Sequence, residues 1–435
     1  MRFGVFALGA LALASQAAVA AEPAKINWSS VPSVDVHLFY PGQSSYQWIR
    51  SKDHKGAKET IRGDACVSCH DSDTEEKDMG AKLVGANPLE PVPVKGKPGY
   101  KPLKVQAAYD AKNAYFRFQW PTANPFPGSE HQYVRFDGKD WKVYGYPKLD
   151  KAVQEGKQPG IYEDRMSIMI DDGKVPNFAQ QGCWITCHEG SRDMPKLATK
   201  DEVAANPLLS ALKRNDVRKY LPASRTNPDD WKTGKSVEDI QKLKAEGHFL
   251  DLIQWRAHRT DAVGLVDDGW VLEWRNFDAG ANAFSSNMDS ATKQPKFMYD
   301  AGKTGYKSVT ADQLRKRPVP AIIRETNAVP FDPNAGWKEG DMVPYYLVSG
   351  EGAKGSAADN KGLANWKDGA WTVVMVRPLN LANNDDKALK EGGVYNVGFA
   401  VHDDNITTRG HHVSFNKTLA IGGNAKADIR AVKLP

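Results

Sequence analysis

A chain of 435 residues, 41% apolar and 26% charged, has room for one small and one large domain, each with its own core. Its 58 basic and 53 acidic side chains leave a formal charge of +5 spread along the sequence. That balance excludes the concentrated basic face a nucleic-acid partner needs.

The chain opens with Met1-Arg2, an apolar stretch from Phe3 to Ala14, and Ala18-Val19-Ala20, an A-x-A-like run. This predicts an export signal over residues 1–21, cleaved after Ala20 or Ala21, since the apolar stretch is short for a bilayer span. Nothing downstream has the apolar length of a spanning helix, so the mature chain is expected to have no transmembrane segment. Residues 22–86 contain Cys66-Val67-Ser68-Cys69-His70 and form a predicted leading module. Residues 87–102, with five prolines, predict a stiff extended linker.

Residues 103–435 carry the β signal. Leu103–Tyr109 and Ala114–Trp120 flank the turn-prone Asp110-Ala111-Lys112-Asn113, with Phe116, Phe118 and Trp120 on one face. Further strands are expected over Arg165–Ile170, Trp270–Trp274, Trp371–Arg377, Tyr395–Val401 and Val413–Ile421, a mainly β pattern of the sandwich type. A helical insertion interrupts it. Asn206-Pro207 caps a turn into Leu208, and Ser236 with Asp239 starts a helix that buries Val237, Ile240 and Leu243 before Gly247. Residues 278–362 read as long loops, and Asp171-Asp172 and Asp403-Asp404 as turns. The twelve tryptophans suit β packing.

All four cysteines lie in two runs, the first above and Cys183-Trp184-Ile185-Thr186-Cys187-His188. C-x-x-C-H is the pattern of a c-type haem site: two thiols add across the vinyl groups and the adjacent histidine can bind the iron. The second run carries one extra residue. Two disulfides or a four-thiolate zinc site would use the same cysteines, but neither explains a histidine directly after both pairs. The expectation is two covalently bound haems c, on Cys66 and Cys69 with His70, and on Cys183 and Cys187 with His188. Haem attachment of this kind places the protein in a bacterial periplasm.

The sixth iron position is open at both sites. Met79 and His37 are candidates near the first. At the second, His411 alternates in phase with Val413 and Phe415, the apolar face, whereas His412 goes with Ser414 and Asn416. Met166, in phase with Ile168 and Ile170, and His258 after Trp255-Arg256 are alternatives.

Ala107-Ala108-Tyr109, Tyr115 to Pro121, Glu163-Asp164-Arg165-Met166, Gly182-Cys183, Leu252 to Arg256, Gly398 to Asp403 and Gly410 to Ser414 together resemble a known family. It is the haem-binding domain related to the γ subunit of ethylbenzene dehydrogenase, a DOMON-like β-sandwich. The leading part, with Tyr40 to Ser45 and His54-Lys55-Gly56-Ala57, is similar to the extra haem c module of its periplasmic dihaem members. The resemblance implies His54 as sixth ligand of the first haem. It also implies a departure: His411 stands where the family pattern has lysine, and a covalent site replaces loosely held haem b.

Site chemistry and resemblance together predict a periplasmic electron carrier, not an enzyme, whose task is to set potential and distance between redox partners. A dihaem peroxidase, needing an open iron position and a distal acid–base group, is the alternative from another class. Fold analogy adds a third, the haem subunit of a molybdenum oxidoreductase or a partner of a membrane cytochrome b.

Overall fold

In the computed structural model, the described residues are 23–40, 44–70, 73–85, 94–122, 130–316, 318–407 and 410–435, with the side chains of 73–77 left aside. The expected signal at 1–21 and most of the proline-rich stretch lie outside them. The fold is mainly β, as the pattern predicted. Thirteen strands form one sheet: β1 (Val34–Phe39), β2 (Tyr100–Tyr109), β3 (Asn113–Pro121), β4 (Arg165–Asp171), β5 (Leu250–Arg256), β6 (Gly269–Val271), β7 (Arg275–Phe277), β8 (Lys361–Lys367), β9 (Ala370–Pro378), β10 (Val394–His402), β11 (His412–Ser414), β12 (Lys417–Ile421) and β13 (Ile429–Lys433).

The main path runs β8-β9-β3-β2-β1-β11-β10-β4-β5-β6-β7. A second route from β10 to β2 passes through β12 and β13, so the sheet closes on itself. Inside that closure, alternate residues of both halves bury one core. Phe116, Phe118 and Trp120 of β3 meet Met166, Ile168 and Ile170 of β4, Trp255 of β5 and Phe399 of β10. The turn at Asp110 forms as its sequence demands: the Asp110 carboxylate accepts the backbone N–H groups of Lys112 and Asn113.

Several boundaries differ from expectation. β1 belongs to residues assigned to the leading module, yet it sits in the main sheet between β2 and β11. The leading segment therefore contributes a strand to the sandwich. β2 starts at Tyr100, inside the expected linker, because Pro102 is exposed and β1 pairs alongside it. The run expected over Trp270–Trp274 is shorter and breaks before β7. Val413–Ile421 divides into β11 and β12, with Phe415 and Asn416 between them.

Residues 278–362 are not loops alone. Short strands Phe284–Ser286, Phe297–Tyr299, Ala328–Pro330, Met342–Pro344 and Tyr346–Val348 surround small cores containing Tyr133, Tyr299 and Ile322, and Val134, Trp141 and Val343. The helical insertion forms where its caps predict. Asn206 accepts from Leu209 N, and Ser236 accepts from Asp239 N at the start of Val237–Ala245. Among the described residues, no helix is long and apolar enough to cross a membrane.

Candidate functional site

β4 and β5, and β10 from Val397 onward, are buried on both faces. Their inward residues fill the sandwich core; their outward residues build a second apolar cluster with the cysteine runs. Met169, Leu252, Ala400 and Val413 pack there with Cys183, Trp184, Ile185 and Phe415. The cluster also takes in Tyr46 and Ile49 of the short helix Tyr46–Ile49, with Cys66 and Met79 packed against it. Both cysteine runs thus meet on one outer face.

A cavity of about 630 Å³ opens on this face. Cys183, Cys187 and His188 line it, with Met169, His402 and His411 from the sheet and Arg165, Lys219, Arg256 and Arg259 around them. Its size falls within the range of ordinary cofactor pockets.

The second run is held by a tight 3₁₀ turn, Gly182–Thr186. Gly182 adopts φ +57, and a Cβ there would press on the backbone of Asn416, so glycine is required. Cys183 is buried, which pushes its thiol up to about 12, and lies against Gly398 of β10, where a Cβ would collide with its Sγ. Lys219 Nζ donates to Cys187 Sγ at 3.2 Å. His188 is fully buried and stacks on Tyr220 at 3.7 Å and 11°. Burial and the nearby Arg225 push its imidazole down to about 3, so it is neutral. Its Nε2 faces the Ile185 and Tyr220 carbonyls, both at 3.0 Å, and its Nδ1 faces the Gln47 amide at 3.2 Å. With the proton assigned to Nε2, the ring donates to those carbonyls and accepts from Gln47.

The first run lies on an open 3₁₀ turn, Cys66–Ser68, after the helix Ala57–Arg62. Cys69 is exposed, and Cys66 is half-buried with its thiol pushed up to about 11, chiefly by burial. The four cysteines are unbridged. His70 stacks flat on Phe415, with ring centroids 5.7 Å apart and planes at 13°. Phe415 also meets Trp184, inside the second run, with centroids 6.1 Å apart and planes at 38°. One phenyl ring is therefore in contact with both motifs. The leading segment is also pinned directly to the second run: Tyr46 N donates to Cys187 O, Glu189 N donates to Gln47 Oε1, and Gln181 Nε2 donates to Thr60 O.

The other candidates separate. His411 lines the cavity, as strand parity indicated, while His412 turns the other way onto the Pro98 carbonyl. Met166 faces the sandwich core; Met169 is the methionine of β4 that reaches the cavity. The backbone N–H of His258 donates to Glu163, and His258 is not among the cavity-lining residues. His54 sits against Trp48 with its Nδ1 2.6 Å from the Ile49 carbonyl. Met79 shares the apolar cluster with Cys66, and His37 meets Tyr100 edge-on at 5.2 Å.

Sequence reasoning missed His402, which stacks on His411 with centroids 4.4 Å apart and planes at 9°. Burial holds its imidazole well below the usual range, and its Nδ1 has no hydrogen-bond partner. The signal was available: His402 alternates in phase with Gly398 and Ala400, opposite the core residues Val397, Phe399 and Val401. The cavity's cations were also missed. Arg256 pairs with Asp267 and Arg259 with Glu163, both at 2.6 Å. Buried Arg165 donates to Thr407 but keeps an Nε with no partner. Asp403, expected in a turn, is instead a buried ion-pair centre for Lys97 at 2.7 Å and Lys101 at 2.5 Å.

A haem fits these residues. Two thiols flank the cavity, neutral imidazoles line it, and Arg165 offers an unsatisfied donor suited to a propionate. One adjustment is needed: His188 must turn from its two carbonyls to present a nitrogen to iron.

A mainly β scaffold with a cavity lined by Cys183, Cys187 and His188 on its outer face defines a sandwich-like protein with a buried cysteine-and-histidine pocket. The family model described as ethylbenzene dehydrogenase matches residues 25–414, and the chain belongs to that family. Cytochrome c-552 of Stutzerimonas stutzeri is 28% identical over 432 residues, which cover 98% of this chain and 97% of that protein. Cytochrome c-551 of Rhodocyclus tenuis is 26% identical over 212 residues, 48% of this chain and 68% of that protein.

Proposed function

We propose that this chain is a periplasmic dihaem c-type cytochrome that passes electrons between redox partners. One haem would be held by Cys66, Cys69 and His70, the other by Cys183, Cys187 and His188. The chemistry supplied at each site is a one-electron iron couple. The observation that carries the reading is Phe415, whose ring contacts both His70 of the first run, at 5.7 Å, and Trp184 of the second, at 6.1 Å. Two cysteine-pair motifs far apart in sequence share one aromatic contact, an arrangement suited to electron transfer between them. Full-length similarity to a cytochrome c-552 supports the same reading.

At the second run, His411 and His402, which line the cavity from the sheet, would be the further iron ligands on offer. At the first, they would be His54 and Met79, from local segments. Paired histidines hold a haem potential lower than histidine with methionine. Arg165 would orient a propionate, and Lys219 acts on the Cys187 sulfur. The partners fitting the family are a molybdenum oxidoreductase or a membrane cytochrome b. The leader-like residues 1–21 accord with export.

Pyridine haemochrome quantitation of the full chain, with low-temperature EPR of the oxidised protein, tests the reading. Two covalent low-spin haems per chain are expected. A high-spin, peroxide-reactive haem would overturn the carrier in favour of a peroxidase, and one covalent haem would reject one of the two sites.

A further inference from the structure

A group of carboxylates lies away from the cavity, where the exits of several strands converge. Asp251 belongs to β5, Asp268 precedes β6, Asp278 follows β7, Asp359 precedes β8, and Asp385 and Asp386 lie in the connection from β9 to β10. The carboxylate oxygens of Asp278, Asp385 and Asp386 lie within 4.8 Å of one another, and so do those of Asp251, Asp268 and Asp386. All five of these side chains are buried. Burying that much like charge is expensive unless protons or cations neutralise it.

The second triad has a cation. Arg377 reaches Asp251 at 2.5 Å, Asp386 at 3.1 Å and Asp268 at 3.9 Å. In the first triad Asp386 shares Arg377, Ser356 Oγ donates to Asp385 and Asp386, and Ala279 N donates to Asp385. The nearby Arg275 is committed to Asp267 at 3.2 Å, so Asp278 is left without a partner. Asp278, only 7% exposed, leaves both carboxylate oxygens without a hydrogen-bond partner. Burial and the Asp251, Asp385 and Asp386 carboxylates push it up to about 9.

A neutral group stands beside the second triad, which shares Asp386 with the first. Asn360 is 1% exposed, its Nδ2 donates to Asp268, and its Oδ1 has no donor. A buried amide oxygen left unsatisfied costs roughly 1–3 kcal/mol. Asp251 and Asp359 each hold a further unpartnered oxygen, and Asn383 Nδ2 bridges Asp359 to Asp386. Buried acceptors without donors, gathered around clustered carboxylates, are what a bound cation would satisfy.

We propose that Asp278, Asp385 and Asp386 form the core of a calcium-class cation site, with the unpartnered oxygens of Asp359 and Asn360 at its margin. The donors are all oxygen, which suits a hard cation and disfavours zinc or copper. Abundant protein oxygens in irregular loops suit calcium better than magnesium, which keeps its waters and demands octahedral geometry. A cation there ties the exit of β7 to the β9–β10 connection and the approach to β8. This inference does not depend on how haem is held.

The test uses the full-length protein stripped with EGTA and titrated with calcium alone, followed by calorimetry and thermal denaturation. About one calcium per chain and a Tm rise on the order of 5 °C at saturating calcium are expected. D278N with D385N should abolish both responses while leaving the visible spectrum unchanged. Absence of stoichiometric calcium binding to the wild-type chain, an equal response in the double variant, or a response to magnesium alone would each overturn the assignment. The wild-type titration decides the matter even if the double variant fails to fold.

Discussion

The two cysteine-pair regions carry nearly the same residues in opposite surroundings. Around Cys66–His70, a short turn between small helices leaves Cys69 exposed, and Phe415, contributed by the sandwich, backs His70. Around Cys183–His188, the run is buried against β10, with Tyr220, Gln47 and Lys219 fixing its side chains. The first region leans on residues of the sandwich; the second is enclosed by them. On the proposed reading, similar attachment chemistry would serve two physical ends: supplying missing core in one place, and tethering within an enclosed pocket in the other.

The largest expected effect comes from removing each pair of thiols. Replacing Cys183 and Cys187 by serine should lower covalent haem from about two to about one per chain by haemochrome assay, with the sheet intact by circular dichroism. Replacing Cys66 and Cys69 should cost the same single haem. It should also speed limited proteolysis between residues 44 and 85 about tenfold or more, a local loss of ~1.4 kcal/mol. Equal protease resistance in the two double variants would erase the contrast.

Next in size is a pH effect confined to the scaffold of the second region. Asp164, just before β4, accepts from Trp371 Nε1 at 2.8 Å and leaves its other oxygen without a partner. Burial, with Asp403 and Asp404 nearby, pushes its carboxyl up to about 7. Unfolded, the same group would release its proton near ~3.9. The folded state thus binds more protons across that window, and this stabilisation is present below ~4 and lost as pH rises toward about 7. Asp164→Asn should flatten that slope by up to ~4 kcal/mol in urea unfolding measured between the two limits. An unchanged slope would mean that Asp164 is ionised in the folded chain.

Gly398→Ala sharpens the comparison at smaller cost. The new methyl would strike Cys183 Sγ, and β10 is pinned by β4 along that stretch, so the strand cannot easily yield. Overpacking of about 1–3 kcal/mol is expected, with poorer loading of the second haem and normal loading of the first. Full loading at both sites would show that the Cys183 turn, not the strand, gives way.

How much of this was legible depended on how many faces each element buries. β3 was read correctly because Phe116, Phe118 and Trp120 alternate with residues of another character. His411 was placed on the cavity side by the same alternation. β4 was only half read: the pattern set Met166 with Ile168 and Ile170, the face that meets the core, but with both faces buried it gave no sign of what the opposite face meets. Met169 was lost for that reason. β1 was hidden by its position ahead of the first cysteine run, although Val36 and Leu38 alternate with Asp35 and His37. The three-residue strands within 278–362 are too short to show any period. The cavity's arginines come from β4, β5, β7 and the intervening segments, a convergence that only the folded chain reveals.

The smallest effect tests whether the second region is as self-sufficient as its packing implies. Ser236 caps Val237–Ala245, whose Ile240 is buried in the outer cluster, with Val237 and Leu243 packed at its edge. Ser236→Ala removes the acceptor for Asp239 N and should cost about 1 kcal/mol, read as a small fall in Tm. The helix touches the margin of the cluster, not the cavity lining. Loosening it should leave the second haem's spectrum and the stacking of His402 on His411 undisturbed. If instead the haem spectrum shifted, the pocket would depend on a local helix, as the first site depends on its neighbours. The two regions would then differ in degree, not in kind.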